Sequence, residues 1–314
     1  MYLGIEIGGT KLQLAIGRGD GKLPHQWRGL VDASAGGEGI RQEILHAVPE
    51  LLATAKLELN DLKAIGVGFG GPTDDSTQSV LVSHHIEGWN GFPLAAWLTE
   101  QFGLQATICN DADVAGLAEA FHGAGRGLSP IFYITVGSGI GGGLILDGTI
   151  YRGVGRGAAE IGHLRPVYPQ GNTAHDQILE YFASGWGIGQ AAERWAAVGY
   201  PPKVEGPITG KAVAEAAAKG DKLALALVDS AVQALAEGIC SVIKLLCPKR
   251  IIIGGGVSLM GEELFFEPLR RYVAERGMKA LAGLTDLVPA ELGEEVVLHG
   301  ALALARRRFQ GGAP

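Results

Sequence analysis

The sequence has few cysteines, no long apolar run and no excess of positive charge, and each shortage excludes a class of protein. Only three of the 314 residues are cysteine (Cys109, Cys240 and Cys247), too sparse and uneven a set for a disulfide framework. No apolar run reaches the roughly 18 residues that a membrane-spanning helix needs. The formal net charge of −7 argues against a nucleic-acid-binding surface.

The N-terminus also lacks the basic region and the cleavage site of a signal peptide, because a strand pattern begins there at once. Hydrophobic residues make up 47% of the chain, which is ample for a core. We therefore expect a cytoplasmic protein with no membrane partner and no nucleic-acid partner.

Glycine, in contrast, is abundant, with 50 residues and no collagen-like period. Three glycine clusters follow short apolar strand patterns, at residues 4–11, 135–143 and 251–258. Glycine lets backbone N–H groups approach a bound anion and tolerates positive φ angles. One such turn is typical of an ordinary hairpin, but three predict a nucleotide held between two halves of the molecule.

Strand patterns alternate with helix patterns along the chain. Strands are predicted at 64–69, 106–109, 131–136 and 143–146, and helices at 39–55, 94–102, 185–198, 209–219, 222–246, 261–275 and 298–308, with another starting near Asp111. A strand, a glycine turn and a second strand occur in both halves, which indicates a duplication. The pattern predicts an α/β fold whose sheets are covered by helices.

Two familiar nucleotide motifs are excluded by their context. Gly137, Gly139 and Gly142 match G-x-G-x-x-G, but they lead into a strand where a dinucleotide-binding turn requires a helix. The Gly-Lys pair at 210–211 has the wrong spacing for a P-loop and no hydroxyl residue after the lysine. A different phosphate-binding arrangement is expected.

Asn110 and Asp111 follow a predicted strand and begin a helix. Two interpretations of Asp111 stay open from the residues alone. It caps the helix, or it is a carboxylate at a strand end that accepts a hydroxyl proton during phosphoryl transfer. We expect Asp113, in the same first turn, to interact with the helix dipole.

Glu160 and His163 are three residues apart after a glycine-rich loop, and Glu180 follows later. Such a His-carboxylate pair can ligate a metal, but no cysteine lies between His163 and Glu180 to complete a structural zinc site. The same three side chains can instead hydrogen bond the vicinal hydroxyls of a sugar. An exposed surface position for Glu180 also fits the spacing.

In this order the motifs resemble the ROK family (repressors, open reading frames and kinases), sugar kinases of the actin-like ATPase superfamily, over almost the whole chain. The matching segments are the first phosphate motif at 4–11, the catalytic segment at 110–113, the second phosphate motif at 135–143, the signature at 157–163, the sugar-contact segment at 179–185 and the adenosine-side turn at 251–257. The resemblance implies a two-lobed, ribonuclease H-like α/β fold with a duplicated core and an interlobe cleft. The expected domains are 1–115 with 298–314, and 116–297.

The resemblance also implies roles for individual residues. Asp111 is the expected base that deprotonates a sugar hydroxyl. The expected contacts are Asn110, Glu160, His163 and Glu180 for the sugar; Gly8, Gly9, Thr10, Lys11, Gly137, Ser138 and Gly139 for the phosphates; and Gly254, Gly255 and Gly256 for the adenosine. ATP, Mg²⁺ and a hexose, most of all glucose, are the implied ligands, and a homodimer is the implied assembly.

Three features depart from the family pattern. Glu6 stands where many members have aspartate, and we expect it to reach Mg²⁺ only indirectly. The usual cysteine cluster after His163 is missing, so zinc is expected to be absent, with a non-standard site of His163 and His175 left open. His84 and His85 stand where family members often have an asparagine-containing sugar loop, which leaves the identity of the preferred sugar open.

The alternative acceptors are fructose, mannose, an N-acetylhexosamine and a cyclitol. An alternative of another class is a non-catalytic sugar-binding sensor. Because the chain begins at the first strand, without a DNA-binding helix-turn-helix, we expect the kinase branch of the family rather than the repressor branch.

Overall fold

The computed structural model describes residues 1–83, 86–166 and 177–312. The strands are β1 (Tyr2–Ile7), β2 (Lys11–Gly17), β3 (His25–Leu30), β4 (Ile65–Phe69), β5 (Thr73–Asp74), β6 (Ser79–Val80), β7 (Ala106–Asn110), β8 (Ile131–Val136), β9 (Ile140–Leu146), β10 (Thr149–Ile150), β11 (Arg250–Gly254) and β12 (Asp286–Pro289). The α-helices are α1 (Gly36–Ala55), α2 (Leu94–Phe102), α3 (Asp111–His122), α4 (Leu179–Ala183), α5 (Gly185–Ala197), α6 (Gly210–Ala218), α7 (Lys222–Leu246), α8 (Glu267–Arg276) and α9 (Val296–Phe309).

The chain forms two compact units. The first comprises Met1–Leu128, Gly143–Ala158 and Glu291–Pro314, and the second comprises Ser129–Gly142 and Ala159–Ala290. These limits differ from the domains expected from the sequence: the first unit continues beyond residue 115 to Leu128, so that α3 lies wholly within it, and it also includes Gly143–Ala158.

The first unit contains a five-stranded sheet in the order β3-β2-β1-β4-β7. β1, β4 and β7 run parallel, with Ile7 opposite Phe69 and Phe69 opposite Asn110. The carboxyl ends of these three strands therefore meet at one edge of the sheet, and the residues that follow them lie close together. Gly8, Gly70 and Asp111 are those residues.

Helices cover both faces of this sheet. Leu3 and Ile5 of β1 are fully buried in the core that α1 and α2 complete, and α1 presents an apolar stripe that includes Ile40 and Ile44. On the other face α9 packs so closely that a Cβ on Gly66 would lie 2.0 Å from the carbonyl oxygen of Ala301. Glycine is therefore required at this position.

The second sheet has the order β10-β9-β8-β11-β12, with β8, β11 and β12 parallel. Its strands follow one another in the same spatial order as those of the first sheet. The predicted repeat of a strand, a glycine turn and a second strand corresponds to β1 and β2 in one sheet and to β8 and β9 in the other. The α/β prediction with a duplicated core is confirmed.

Helix α7 is the long apolar helix of the second unit. Asp221 caps its first turn, and the helix packs against α4, α6 and α8. In the described part of the chain it is the one helix whose length and composition would allow it to cross a membrane, and 61% of its apolar window is buried. This is the usual pattern of a core helix.

The predicted helices at 39–55 and 261–275 differ most from the observed ones. α1 begins at Gly36, three residues before the predicted start. The predicted helix at 261–275 starts with a π-helical turn, Glu262–Phe266, and becomes α-helical at Glu267. Pro268 has no N–H to donate to a carbonyl one turn earlier, which explains why regular hydrogen bonding begins there.

Candidate active site

The first glycine turn leaves two backbone donors without acceptors. The N–H of Gly8 donates to the carbonyl oxygen of Lys11 at 3.0 Å, which closes the turn. Within the described residues, no backbone or side-chain group accepts from the N–H of Gly9 or Thr10. A Cβ added to Gly9 would meet no atom within 4 Å, so the surface here is open. Adjacent unpaired amides of this kind form an anion-binding concavity.

Lys11 and Glu6 form an ion pair beside this turn. The Lys11 Nζ lies 3.0 Å from Glu6 Oε1, and Gln13 donates to Glu6 Oε2 at 2.8 Å. Burial raises the pKa of Glu6, and the charge of Lys11 opposes that rise. Because both oxygens of Glu6 have partners, this carboxylate fits an indirect contact with Mg²⁺ through water better than direct coordination.

The Asp111 carboxylate lies at the edge of the first sheet, near the end of β1. A Cβ placed on Gly70 would lie 3.6 Å from Asp111 Oδ2 and 3.3 Å from the carbonyl oxygen of Ile7. The Gly70 N–H also donates to that carbonyl oxygen at 2.8 Å. The strand register thus brings Asp111 to the edge where the first glycine turn begins.

Asn110 takes the capping role that the sequence left open for Asp111. Its Oδ1 accepts from the Ala112 N–H at 2.9 Å, as an N-cap does, and its Nδ2 donates to the Gly71 carbonyl oxygen at 3.1 Å. Asp111 is the first residue of the helix, and its Oδ1 also accepts from Ala112. The Asp111 side chain therefore lies at the N-terminus of α3, where the helix dipole stabilises a negatively charged carboxylate.

A small cavity adjoins this edge of the sheet. Its lining includes Gly8, Gly9, Gly70, Ser83 and Trp89, and its volume is about 10 Å³, room for about one water molecule. Trp89 is fully buried, and its indole N–H has no acceptor in the described structure. A hydroxyl group or a water molecule in this cavity would satisfy such a donor.

The second glycine turn repeats the pattern of the first. The N–H of Gly137 donates to the carbonyl oxygen of Gly139 at 2.9 Å. No acceptor for the N–H of Ser138 or Gly139 occurs in residues 1–83, 86–166 and 177–312. A Cβ on Gly137 would meet nothing within 4 Å. Both units thus contain a turn in which the N–H of the first glycine donates to a carbonyl oxygen within the turn. The next two N–H groups have no acceptor among the described residues.

The expected sugar contacts of the second unit lie near the start of β9. Glu160 precedes a short 3₁₀ turn, Ile161–His163, of which His163 is the last residue, and both side chains are exposed. A Cβ on Gly162, within that turn, would lie 2.2 Å from the carbonyl oxygen of Ile140. Glu180 Oε2 accepts from the N–H of the same Ile140 at 2.7 Å. The structure brings all three near one residue of the second unit.

An unusual backbone conformation precedes Glu160. Ala159 has φ +63°, in the left-handed region that alanine seldom adopts. The Ile161 N–H donates to the Ala159 carbonyl oxygen at 2.7 Å, and Glu160 between them has φ −70° and ψ 60°. These are the angles of an inverse γ-turn. A tight local turn therefore sets the direction of the Glu160 side chain.

Of the three glycines in the third turn, only one faces open space. A Cβ on Gly254 would lie 2.6 Å from the Tyr133 hydroxyl, and one on Gly255 would lie 2.6 Å from the Val136 carbonyl oxygen. A Cβ on Gly256 would meet nothing within 4 Å. Gly254 and Gly255 thus serve packing against β8, and Gly256 is the position that a ligand could approach.

The sequence did not predict a role for Arg152. This buried guanidinium donates to Asp75 at 3.0 Å, to both oxygens of Thr73 at 3.0 Å, and to Asp113 in the first turn of α3. The expected interaction of Asp113 with the helix dipole is therefore supplemented by a buried ion pair. A single arginine in a glycine-rich loop gives no signal of such a network.

Three histidines for which the sequence suggested a metal or sugar role lie outside the described residues. They are His84, His85 and His175. Within the described ranges, no group of three or more histidine, cysteine, aspartate or glutamate residues could hold a metal ion. The predictions about zinc and about a site of His163 with His175 stay predictions.

Known proteins match this chain over nearly its whole length. The family model of the ROK family matches residues 2–308. A glucokinase of Halalkalibacterium halodurans is 32% identical, with 98% of this chain and 95% of that protein covered, and a glucokinase of Thermotoga maritima is 29% identical with 98% of both covered.

Solved structures agree with this match. A ROK family glucokinase from Streptomyces griseus, in complex with glucose and AMPPNP, has a TM-score of 0.78 and 30% identity, covering 97% of this chain and 99% of that one. A ROK hexokinase from Thermus thermophilus has a TM-score of 0.80 and 28% identity, covering 99% of both chains. The fold is that of the actin-like ATPases, and the chain belongs to the ROK family.

Proposed function

We propose that this protein is a sugar kinase that transfers the γ-phosphoryl group of ATP to glucose and forms glucose 6-phosphate. Asp111 accepts the proton of the attacking hydroxyl, the sugar oxygen bonds to the γ-phosphorus, and ADP leaves. The observation that carries this proposal is the Asp111 carboxylate at the sheet edge beside Gly70, in the unit whose first glycine turn offers unpaired amides.

The phosphates are proposed to border the residues of the two glycine turns, where the N–H groups of Gly9, Thr10, Ser138 and Gly139 are available as donors. Gly8, Gly9, Thr10 and Lys11 contribute from the first unit, and Gly137, Ser138 and Gly139 from the second. Fixed amides stabilise the charge that develops on a transferring phosphoryl group without a cost of reorganisation. Gly254, Gly255 and Gly256 form the adenosine-side turn, with Gly256 the closest to the nucleoside.

The sugar is proposed to bind to Asn110, Glu160, His163 and Glu180. The exposed side chains of Glu160 and His163 and the carboxylate of Glu180 suit a ligand with several adjacent hydroxyl groups. The sugar must also lie within hydrogen-bond reach of Asp111 for proton transfer.

Mg²⁺ is proposed to arrive with ATP, since this ion keeps several waters and binds through substrate phosphates. It neutralises phosphate charge in the transition state. Glu6 is the residue of the first unit proposed to hold its waters. We further propose that the protein acts in the cytoplasm as a homodimer.

Glucose is favoured as the acceptor by the relatives. The two relatives compared by sequence above are glucokinases, and the Streptomyces griseus structure contains glucose. A putative fructokinase of Bacillus subtilis is 26% identical, with 100% of this chain covered, so fructose is the second candidate.

A coupled assay of ADP release tests the proposal. Purified protein with ATP and Mg²⁺ is given glucose, fructose, mannose, N-acetylglucosamine, N-acetylmannosamine or inositol, one at a time. We expect the highest kcat/KM with glucose. A higher kcat/KM with another sugar would revise the proposed substrate but support the proposed kinase activity. The absence of ADP release with every sugar would favour a non-catalytic sensor.

A further inference from the structure

Glu180 makes a contact that sugar binding alone would not require. Its Oε2 accepts from the N–H of Ile140, the first residue of β9, at 2.7 Å. A Cβ on Gly139 would lie only 2.5 Å from that same oxygen, so the carboxylate can approach because residue 139 is glycine. Glu180 therefore hydrogen bonds to the end of the second glycine turn.

The segment that follows Glu180 holds the other end of the turn. The Gly185 N–H donates to the Gly137 carbonyl oxygen at 2.7 Å, and a Cβ on Gly185 would lie 3.0 Å from that oxygen. Ser184 is fully buried, and its Oγ accepts from the Gly187 N–H at 3.0 Å, which fixes the start of α5. Residues 180–185 thus contact the turn at both Gly137 and Ile140.

The two amides that the turn offers, those of Ser138 and Gly139, lie between these contacts. Their direction depends on how the turn is held, because glycine backbones have wide freedom when nothing restrains them. We propose that Glu180 is a positioning residue for the second glycine turn, and that it links sugar binding to nucleotide binding in this protein. This inference rests on the proposed function, which assigns the turn to phosphate and Glu180 to sugar.

The link follows from the two oxygens of one carboxylate. Oε2 bonds to Ile140, and Oε1 has no hydrogen-bond partner in the described structure. A sugar hydroxyl that donates to Oε1 orders the carboxylate and so restrains Ile140 and the turn. By linkage, a nucleotide that restrains the turn favours sugar binding by the same factor.

Nucleotide binding in the absence of sugar separates the positioning role from a sugar contact. AMPPNP with Mg²⁺ is titrated into wild-type protein, Glu180→Ala and Glu180→Gln, each checked for folding by circular dichroism. We expect Glu180→Ala to weaken AMPPNP binding about tenfold, the size of one charge-assisted hydrogen bond. In Glu180→Gln the amide oxygen still accepts from Ile140, so AMPPNP binding stays within about twofold.

Two further variants serve as a second disruption and as a control. Gly139→Ala places a methyl group against Glu180 Oε2 while keeping the carboxylate, and we expect the same weakening of AMPPNP binding. Glu193→Ala removes an exposed carboxylate from α5, and wild-type binding is expected.

Sugar titrations complete the test. With glucose as the probe, saturating glucose is expected to tighten AMPPNP binding in wild-type protein and to have less effect in Glu180→Ala. Unchanged AMPPNP affinity in folded Glu180→Ala and Gly139→Ala, with glucose binding lost in Glu180→Ala, would show a sugar contact only and overturn the inference. Wild-type protein that binds no AMPPNP at all would overturn the proposed function as well.

Discussion

Arg152 and Asp113 form a buried ion pair in the first unit, two residues along α3 from Asp111. The Asp113 side chain is 2% exposed and that of Arg152 is 6% exposed. Arg152 also donates to Asp75 and to Thr73, the first residue of β5. One guanidinium thus joins the start of α3 to β5 and to the residue that follows β5.

Arg152→Met is expected to destabilise the first unit strongly. The substitution leaves the carboxylate of Asp113 buried without its cation, which typically costs about 3–5 kcal/mol. Arg152→Met/Asp113→Asn removes both charges and is expected to recover part of the loss. The measurement is the denaturant midpoint followed by circular dichroism.

Arg156→Met is the matched control, because the Arg156 side chain is 73% exposed and pairs with Asp74 at 3.2 Å. An exposed pair is worth at most about 1 kcal/mol. Equal midpoints for Arg152→Met and Arg156→Met would contradict the account of the buried network.

Ala159→Gly is expected to keep or increase stability, although glycine usually destabilises. Alanine at φ +63° carries a cost of about 1–2 kcal/mol that glycine does not. The entropy that glycine loses on folding offsets about 0.5–1 kcal/mol of the gain. Thermal or denaturant unfolding measures the balance.

Ala226→Gly provides the comparison, since Ala226 is exposed inside the regular helix α7. There the same substitution is expected to cost about 1 kcal/mol. Equal losses of stability in both variants would show that Ala159 is not strained.

His122 and His299 make the stability of the first unit depend on pH. Their ring centroids lie 6.4 Å apart. Burial lowers the pKa of His122 below 6.5, and the neighbouring His299 lowers it further, while Asp20 opposes the change. Burial also lowers the pKa of His299, opposed by Glu295.

Below about pH 6.5 the unfolded chain therefore binds more protons than the folded protein, and the free energy of unfolding falls as the pH decreases. We expect His299→Asn to show a shallower pH dependence between about pH 7.5 and about pH 5.5. His46→Gln removes an exposed histidine and should keep the wild-type slope. An unchanged slope in His299→Asn would contradict the assignment.

Local patterns predicted most elements of the fold. Leu94–Phe102 and Lys222–Leu246 have their predicted bounds, because an apolar period with a clear start and stop specifies a helix by itself. The π-helical turn at Glu262–Phe266 was not predicted, since its hydrogen-bond pattern depends on where Pro268 interrupts the helix.

The candidate site was predictable where it follows strand ends. Asp111 and the first two glycine turns were predicted as site residues because each follows an apolar strand pattern, and their roles stay predictions. The contacts of Arg152 with Asp75 and of Glu180 with Ile140 were not predicted. Each joins residues far apart in sequence, and only the fold brings them together.

The turnover of Asp111→Asn tests the central claim most directly. Asparagine keeps an oxygen for the Ala112 N–H that Asp111 Oδ1 now accepts, so the fold and glucose binding are expected to be retained. Asp20→Asn, an exposed substitution in the same unit, controls for the loss of charge. With ATP, Mg²⁺ and glucose, the account predicts that kcat falls by about 10²–10⁴ in Asp111→Asn, the usual contribution of a general base, and is unchanged in Asp20→Asn. Near-normal kcat in folded, glucose-binding Asp111→Asn would contradict it.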